Sequence, residues 1–286
     1  MSTGTDTGMP GLSRVTGMHA DTLSTSVRLR MVGNEIARGL RLRWVYRATL
    51  VPELFGGVAM FLMVQYFVGD GRILDDLVAE TAPAMLAYVV GYGLMMRLVS
   101  GILEERNAGT LEQTHLSPLP AWQLAAGRLG AALVEMLAAG LVVTTAVLVI
   151  VGVGYPFDPQ ALVPLSLTLA SAAAFALLIA AASFTYPGIG ALVHIVQMLV
   201  MSVNGMFAPV ELYPQWLELF AKLVPTTLGV SATRRVLIGG DSLADLWGDG
   251  ALGWLLVHTT VLVVAGWVAY QAQIRRALRD GRLGPA

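Results

Sequence analysis

Residues 159–210 form a run of 52 positions without a single Asp, Glu, Lys or Arg. Nothing in such a stretch can present a charged surface to water, so it has to be enclosed by protein or by lipid. As one helix it would be ~78 Å long at about 1.5 Å per residue, more than twice the roughly 30 Å hydrocarbon thickness of a bilayer. The run must therefore double back, and Tyr186-Pro187-Gly188 is the turn the sequence offers. The rest of the chain follows the same bias. Its 286 residues are 56% hydrophobic and 13% charged, with a mean hydropathy of +0.68, whereas about a quarter of a soluble chain is charged. Lipid is the expected solvent.

Six stretches are long and apolar enough to be expected as spans: 48–68, 81–103, 129–151, 161–184, 188–210 and 251–272. The expected fold is an all-α integral membrane protein of six transmembrane helices, with one permeating unit over residues 27–275. Residues 1–26, rich in Ser, Thr, Gly and Met, are expected to be a disordered tail, and 276–286 a second tail. No apolar stretch precedes residue 48, so no cleaved secretory signal is expected.

Cations set the orientation. Arg14, Arg28, Arg30, Arg38, Arg41, Arg43 and Arg47 precede the first span, Arg97, Arg106 and Arg128 flank the loop after the second, and Arg275, Arg276, Arg279 and Arg282 follow the last. The other side keeps only Arg72, Lys222, Arg234 and Arg235, among many acids. Both termini are thus expected in the cytoplasm, with the chain multi-pass in the cell membrane. Residues 27–47 read as an amphipathic helix lying on the membrane surface. Leu29, Val32, Ile36, Leu40 and Trp44 share one stripe, and Arg30, Arg38 and Arg41 face away from it.

Several chemistries find no support in the residues. The chain has no cysteine, and His19, His115, His194 and His258 include no helical metal-binding pair. Its one lysine, Lys222, stands in Leu219-Phe220-Ala221-Lys222-Leu223, without the glycines and hydroxyl of a phosphate-binding loop. No catalytic residue, no metal, no cofactor on this chain and no nucleic-acid partner are expected. Glu53, Glu135, His194 and His258 lie in predicted spans, where such groups pair with each other or mark a pathway. An ion- or proton-coupled carrier is the competing class, but it would want broken spans, paired ionisable groups at mid-membrane and internal repeats. In the fourth span Ala170, Ala172, Ala174, Ala176 and Ala180 permit close helix approach. In the fifth, His194, Gln197, Met201 and Asn204 share a face, readable either as packing or as the lining of a route.

The loop after the second span, residues 104–129, has more local order written into it than a linker needs. Thr110 and Gln113 make a capping-box pattern, Gly109 frees the approach, and Pro118 and Pro120 stop the short helix so begun. The stretch Glu105-Arg106-x-x-Gly109-Thr110-x-Glu112, followed by Leu116-Ser117-Pro118-Leu119, resembles the signature loop of the type-2 permeases of ATP-binding-cassette transporters. A second likeness runs from Asn204-Gly205-Met206-Phe207-Ala208-Pro209-Val210 through Tyr213-Pro214-Gln215-Trp216 to Val224-Pro225 and Arg234-Arg235. There the family carries short half-buried helices before its last span. Trp216, Leu217, Phe220, Leu223 and Val224 agree, repeating at helical spacing over too few residues to cross a bilayer.

The resemblance implies a permease subunit of an exporter for drugs, lipids, glycans or other hydrophobic and amphipathic products. ATP and Mg would be used by a separate ATPase subunit, and a second permease copy or sister chain would complete the pathway within the membrane lipids. It also implies that Glu105, Arg106, Gly109, Thr110, Leu111, Glu112 and His115 belong to the ATPase-coupling loop. Tyr88, Tyr92, Met95, Met201, Asn204 and Phe207 are nominated for the substrate path along the second and fifth spans.

Overall fold

The computed structural model describes residues 50–110, 121–154, 158–186 and 188–279, with individual positions between Ser26 and Ala48. Every regular element among them is helical. The longer helices are α1 (Leu50–Val68), α2 (Asp75–Asn107), α3 (Ala121–Val151), α4 (Leu162–Ser183), α5 (Ile189–Val203) and, last in the chain, the helix Ala251–Arg279. Three short helices precede that last one, α6 (Gln215–Ala221), α7 (Thr227–Leu237) and α8 (Leu243–Gly248), so the helix Ala251–Arg279 is α9.

By length and composition, Asp75–Asn107, Gln123–Val151, Pro159–Ser183 and Ala251–Ala277 can each cross a membrane, while Leu54–Val68 and Ile189–Val203 are shorter apolar helices. Four helices of the described residues are therefore membrane-spanning in size. The apolar surface they leave exposed fits a lipid environment. Phe55, Met63, Val149, Ile150, Val261, Val264 and Val268 all point away from the protein, a display of apolar area that water would not tolerate.

Helix ends explain where the expected spans and the observed helices part. α2 begins at Asp75 and Asp76, whose carboxylates favour a helix N-terminus, and continues past Arg97 to Asn107. An apolar window sees only the middle of such a helix, because the helix continues where lipid ends. The expected span 188–210 is shorter than that as a helix. It stops at Val203, because Gly205 takes a left-handed φ of +88° and the Asn204 side chain accepts the Met206 N–H at 3.0 Å. The turn between α4 and α5 does fall at 184–188, where the Thr185 and Tyr186 N–H groups both reach the Ala182 carbonyl; Pro187 lies outside the described residues.

α2 and α4 form the interior. Leu94, Met95, Val99, Met136, Ala176, Ala180, Ile274 and the edge-on pair Phe184 and Tyr270, with centroids 5.5 Å apart, make the core near one end. Phe61, Met85, Val143, Val147, Met206 and Val230 make the core near the other. The alanines of α4 do admit a neighbouring backbone, and it belongs to α9: a methyl group at Gly266 would overlap the Ala174 carbonyl oxygen. Ser171 and Thr259 hydrogen-bond across the same interface at 2.8 Å, and Thr185 donates to Gln273 at 2.9 Å. Positions described between Ser26 and Arg41 are helical, with Arg30, Arg38 and Arg41 exposed and Ile36 half-buried beside Gly130 of α3.

Candidate functional site

One face of α2 carries Tyr88, Gly91, Tyr92 and Met95, one helical turn apart by threes and fours. Ala172 and Phe175 of α4, Gln197 and Val200 of α5, and Pro225 with Thr226 close a cavity against it. The tyrosine rings stack with centroids 5.9 Å apart and planes within 6° of parallel. The Gln197 amide donates to the Tyr88 hydroxyl at 2.6 Å, and its oxygen lies 3.4 Å from His194 Nδ1. The Thr226 hydroxyl is buried without a partner among the described residues. About 20 Å³ remains open in the middle, room for one water. The space is therefore narrow, bordered by a hydrogen bond between helices and by the stacked aromatic rings.

Of the residues nominated for a substrate path, Tyr88, Tyr92 and Met95 line this cavity. Met201 packs on the same cluster as the two tyrosines. Asn204 is fully buried in the turn that ends α5, where its amide donates to the Ala84 carbonyl at 3.3 Å. Gln65 of α1, also fully buried, donates to the Met206 carbonyl at 3.1 Å. The Asn204–Met206 turn is thus pinned to α1 and α2, and Phe207 stands half-buried just after it. Gln197, which the sequence puts on one face with His194, Met201 and Asn204, lines the cavity as well. Phe175, Pro225 and Thr226 needed the fold.

At the end of α2, Glu105 and Arg106 lie in the last turns of the helix, and Gly109 and Thr110 follow it. Leu111, Glu112, His115 and the expected short helix between Thr110 and Pro118 lie outside the described residues. Glu105 pairs with Arg128 of α3 at 2.6 Å, and Arg97 of α2 pairs with Glu135 at 2.8 Å. Glu135 thus has an arginine partner. The side chain of Glu53 is not among those described, and His258 Nδ1 is buried without a partner among the described residues. Those residues bring together no three His, Asp or Glu side chains able to hold a metal.

The opposite end is held by its own charges. Arg234 pairs with Glu211, Arg235 with both Asp241 (2.7 Å) and Asp249 (2.6 Å), and Lys222 with Glu218 (2.6 Å). Partial burial pushes the Glu211 carboxyl up, but its own backbone N–H, the Arg234 guanidinium and the Ser231 hydroxyl outweigh that and hold it below the usual range. Three of the four cations read as lying on this side are therefore neutralised locally.

Residues 35–238 match the model of the ABC-2 type transporter family. The chain is also similar to the probable multidrug ABC transporter permease YbhR of Escherichia coli K12 and of Escherichia coli O157:H7. Each alignment is 26% identical over 200 residues, 67% of this chain and 52% of the relative. The chain spans about half the length of these relatives. Since the family match takes in α1 to α7, with the loop after α2 and the tyrosine-lined cavity inside it, this membrane-spanning chain belongs to the ABC-2 type transporter family.

Proposed function

We propose that the chain is the membrane subunit of an ATP-driven exporter of hydrophobic or amphipathic compounds, with the ATPase on a separate polypeptide. All six long helices cross the membrane, with α1 and α5 extended by the segments that flank them. Both termini and the loop after α2 lie in the cytoplasm, and the arginine-faced helix before α1 rests on the inner leaflet. A second copy, or a sister chain, covers α5. This helix exposes His194 together with Ile195 and Met198, and an ionisable group at membrane depth calls for a protein neighbour.

One observation carries this reading: α2 is a single helix that holds the cavity at Tyr88–Met95 and ends at the loop. From Met95 to Asn107 is ~18 Å of helix, so displacement at the loop reaches the cavity without an intervening joint. ATP-driven movement of a partner seated on Thr110, Leu111, Glu112 and His115 would widen the narrow space. The multidrug name of the E. coli relatives and the aromatic and methionine lining both favour apolar cargo.

The test is co-purification with an ATP-binding-cassette ATPase, sought first in the neighbouring reading frame. Deletion of residues 110–116, or Glu112→Arg, is expected to abolish association while membrane insertion persists. Undiminished association of the deletion variant would remove the docking assignment.

A further inference from the structure

Glu105 holds two structures at once. Its backbone carbonyl accepts the Thr110 N–H at 2.9 Å and the Thr110 hydroxyl at 3.3 Å. Gly109, at φ +68°, turns its own N–H onto the Arg106 carbonyl at 3.1 Å. Together these bonds make the left-handed helix stop that fixes how the chain leaves α2. The carboxylate of the same residue takes Arg128 Nη2 at 2.6 Å, two turns inside α3. Deeper in the membrane, Arg97 Nη2 meets Glu135 Oε1 at 2.8 Å.

The two pairs have opposite polarity. Near the loop the acid is on α2 and the base on α3; farther in, the base is on α2 and the acid on α3. Between the rungs Gly101, Ala131 and Ala132 are small and leave a cavity of about 210 Å³. Along this stretch the two charged pairs flank an apolar contact made by Leu98 and Ile102 of α2 with Ala125 and Ala132 of α3. The alternation also fixes register, because sliding the helices by one rung would set Arg97 against Arg128 and replace attraction by repulsion. Both pairs are partly buried, which spares them much of the screening that weakens surface pairs.

We propose that the Arg97–Glu135 and Glu105–Arg128 pairs brace the two stems of the loop into one unit, making Glu105 a positioning residue rather than an ATPase contact. The brace passes a force on the loop to α2 and α3 together, a role that rests on the docking of an ATPase proposed above. Without it, bending of either stem would absorb the motion.

The absence of cysteine makes the test direct. Ala108→Cys and Ala121→Cys, spin-labelled in lipid nanodiscs, report the separation of the stems. The native background is expected to give one narrow distance peak, and Glu105→Gln or Arg128→Gln to lose it. Glu105→Arg combined with Arg128→Glu should restore it, since the exchanged pair can still form. Unchanged distances in the single variants, or failure of the exchanged pair to restore the peak, would overturn the brace. The same variants are then assayed for binding to the ATPase. Retained binding in Glu105→Gln supports the positioning role, whereas binding lost there and not regained in the exchanged pair would make Glu105 a contact and overturn it. Restored distances with an ATPase that binds no variant, the native chain included, would uphold the brace and remove the exporter reading instead.

Discussion

Gly266 shows how much a single position decides in this chain. Its missing side chain lets α9 lie directly on the Ala174 carbonyl of α4, and overfilling a tight contact costs about 1–3 kcal/mol. The hydrogen bond between Ser171 and Thr259 crosses the same interface, yet interhelical hydrogen bonds in membranes average only about 0.6 kcal/mol. Gly266→Ala is therefore expected to lower the unfolding temperature of the detergent-solubilised chain well below that of Ser171→Ala. Equal effects would mean that the polar pair, not close backbone approach, holds the two helices. The alanines of α4 were legible as a close-contact surface, since their spacing alone announces it. That α9 is the helix received there was not, because residues about 90 positions apart are joined only by the fold.

At the scale of elements, α2 and α5 meet across the hydrogen bond from Gln197 to Tyr88. If the narrow cavity widens between α2 and α5 in transport, this bond must break and reform. Tyr88→Phe keeps the ring that stacks on Tyr92 and removes only the hydroxyl that receives Gln197. It is expected to shift the stimulation of ATP hydrolysis by transported compounds in the reconstituted complex while leaving assembly intact. Stimulation by every compound identical to that of the native chain would exclude the bond from the cycle. The uncharged run that becomes α4 and α5 declared itself in the sequence, as did the turn between them. The end of α5 did not, because Asn204 and Gly205 are as compatible with an apolar span as with the buried turn they make; only Gln65 and Ala84, brought in from α1 and α2, show the difference. The partner of Glu105 was hidden for a similar reason. A helix-ending acid reads equally well as a contact for another subunit until α3 is folded back beside it.

For the whole molecule, the organising fact is the difference between its two ends. One end gathers α6, α7 and α8, where cations are bound to Glu211, Glu218, Asp241 and Asp249. The other holds the loop after α2, the turn at 184–188, the exposed arginines before α1 and the basic last turn of α9. Exposed positive charge is retained on the cytoplasmic face of membrane proteins, so the six crossings proposed above would put every segment of the second end inside. The cysteine-free sequence permits a decisive measurement, in which single variants Arg72→Cys, His115→Cys, Trp247→Cys and Arg282→Cys are exposed to a membrane-impermeant maleimide in intact cells. Positions 72 and 247 are expected to react at once, and 115 and 282 only after permeabilisation; labelling of 115 or 282 in intact cells would contradict the account.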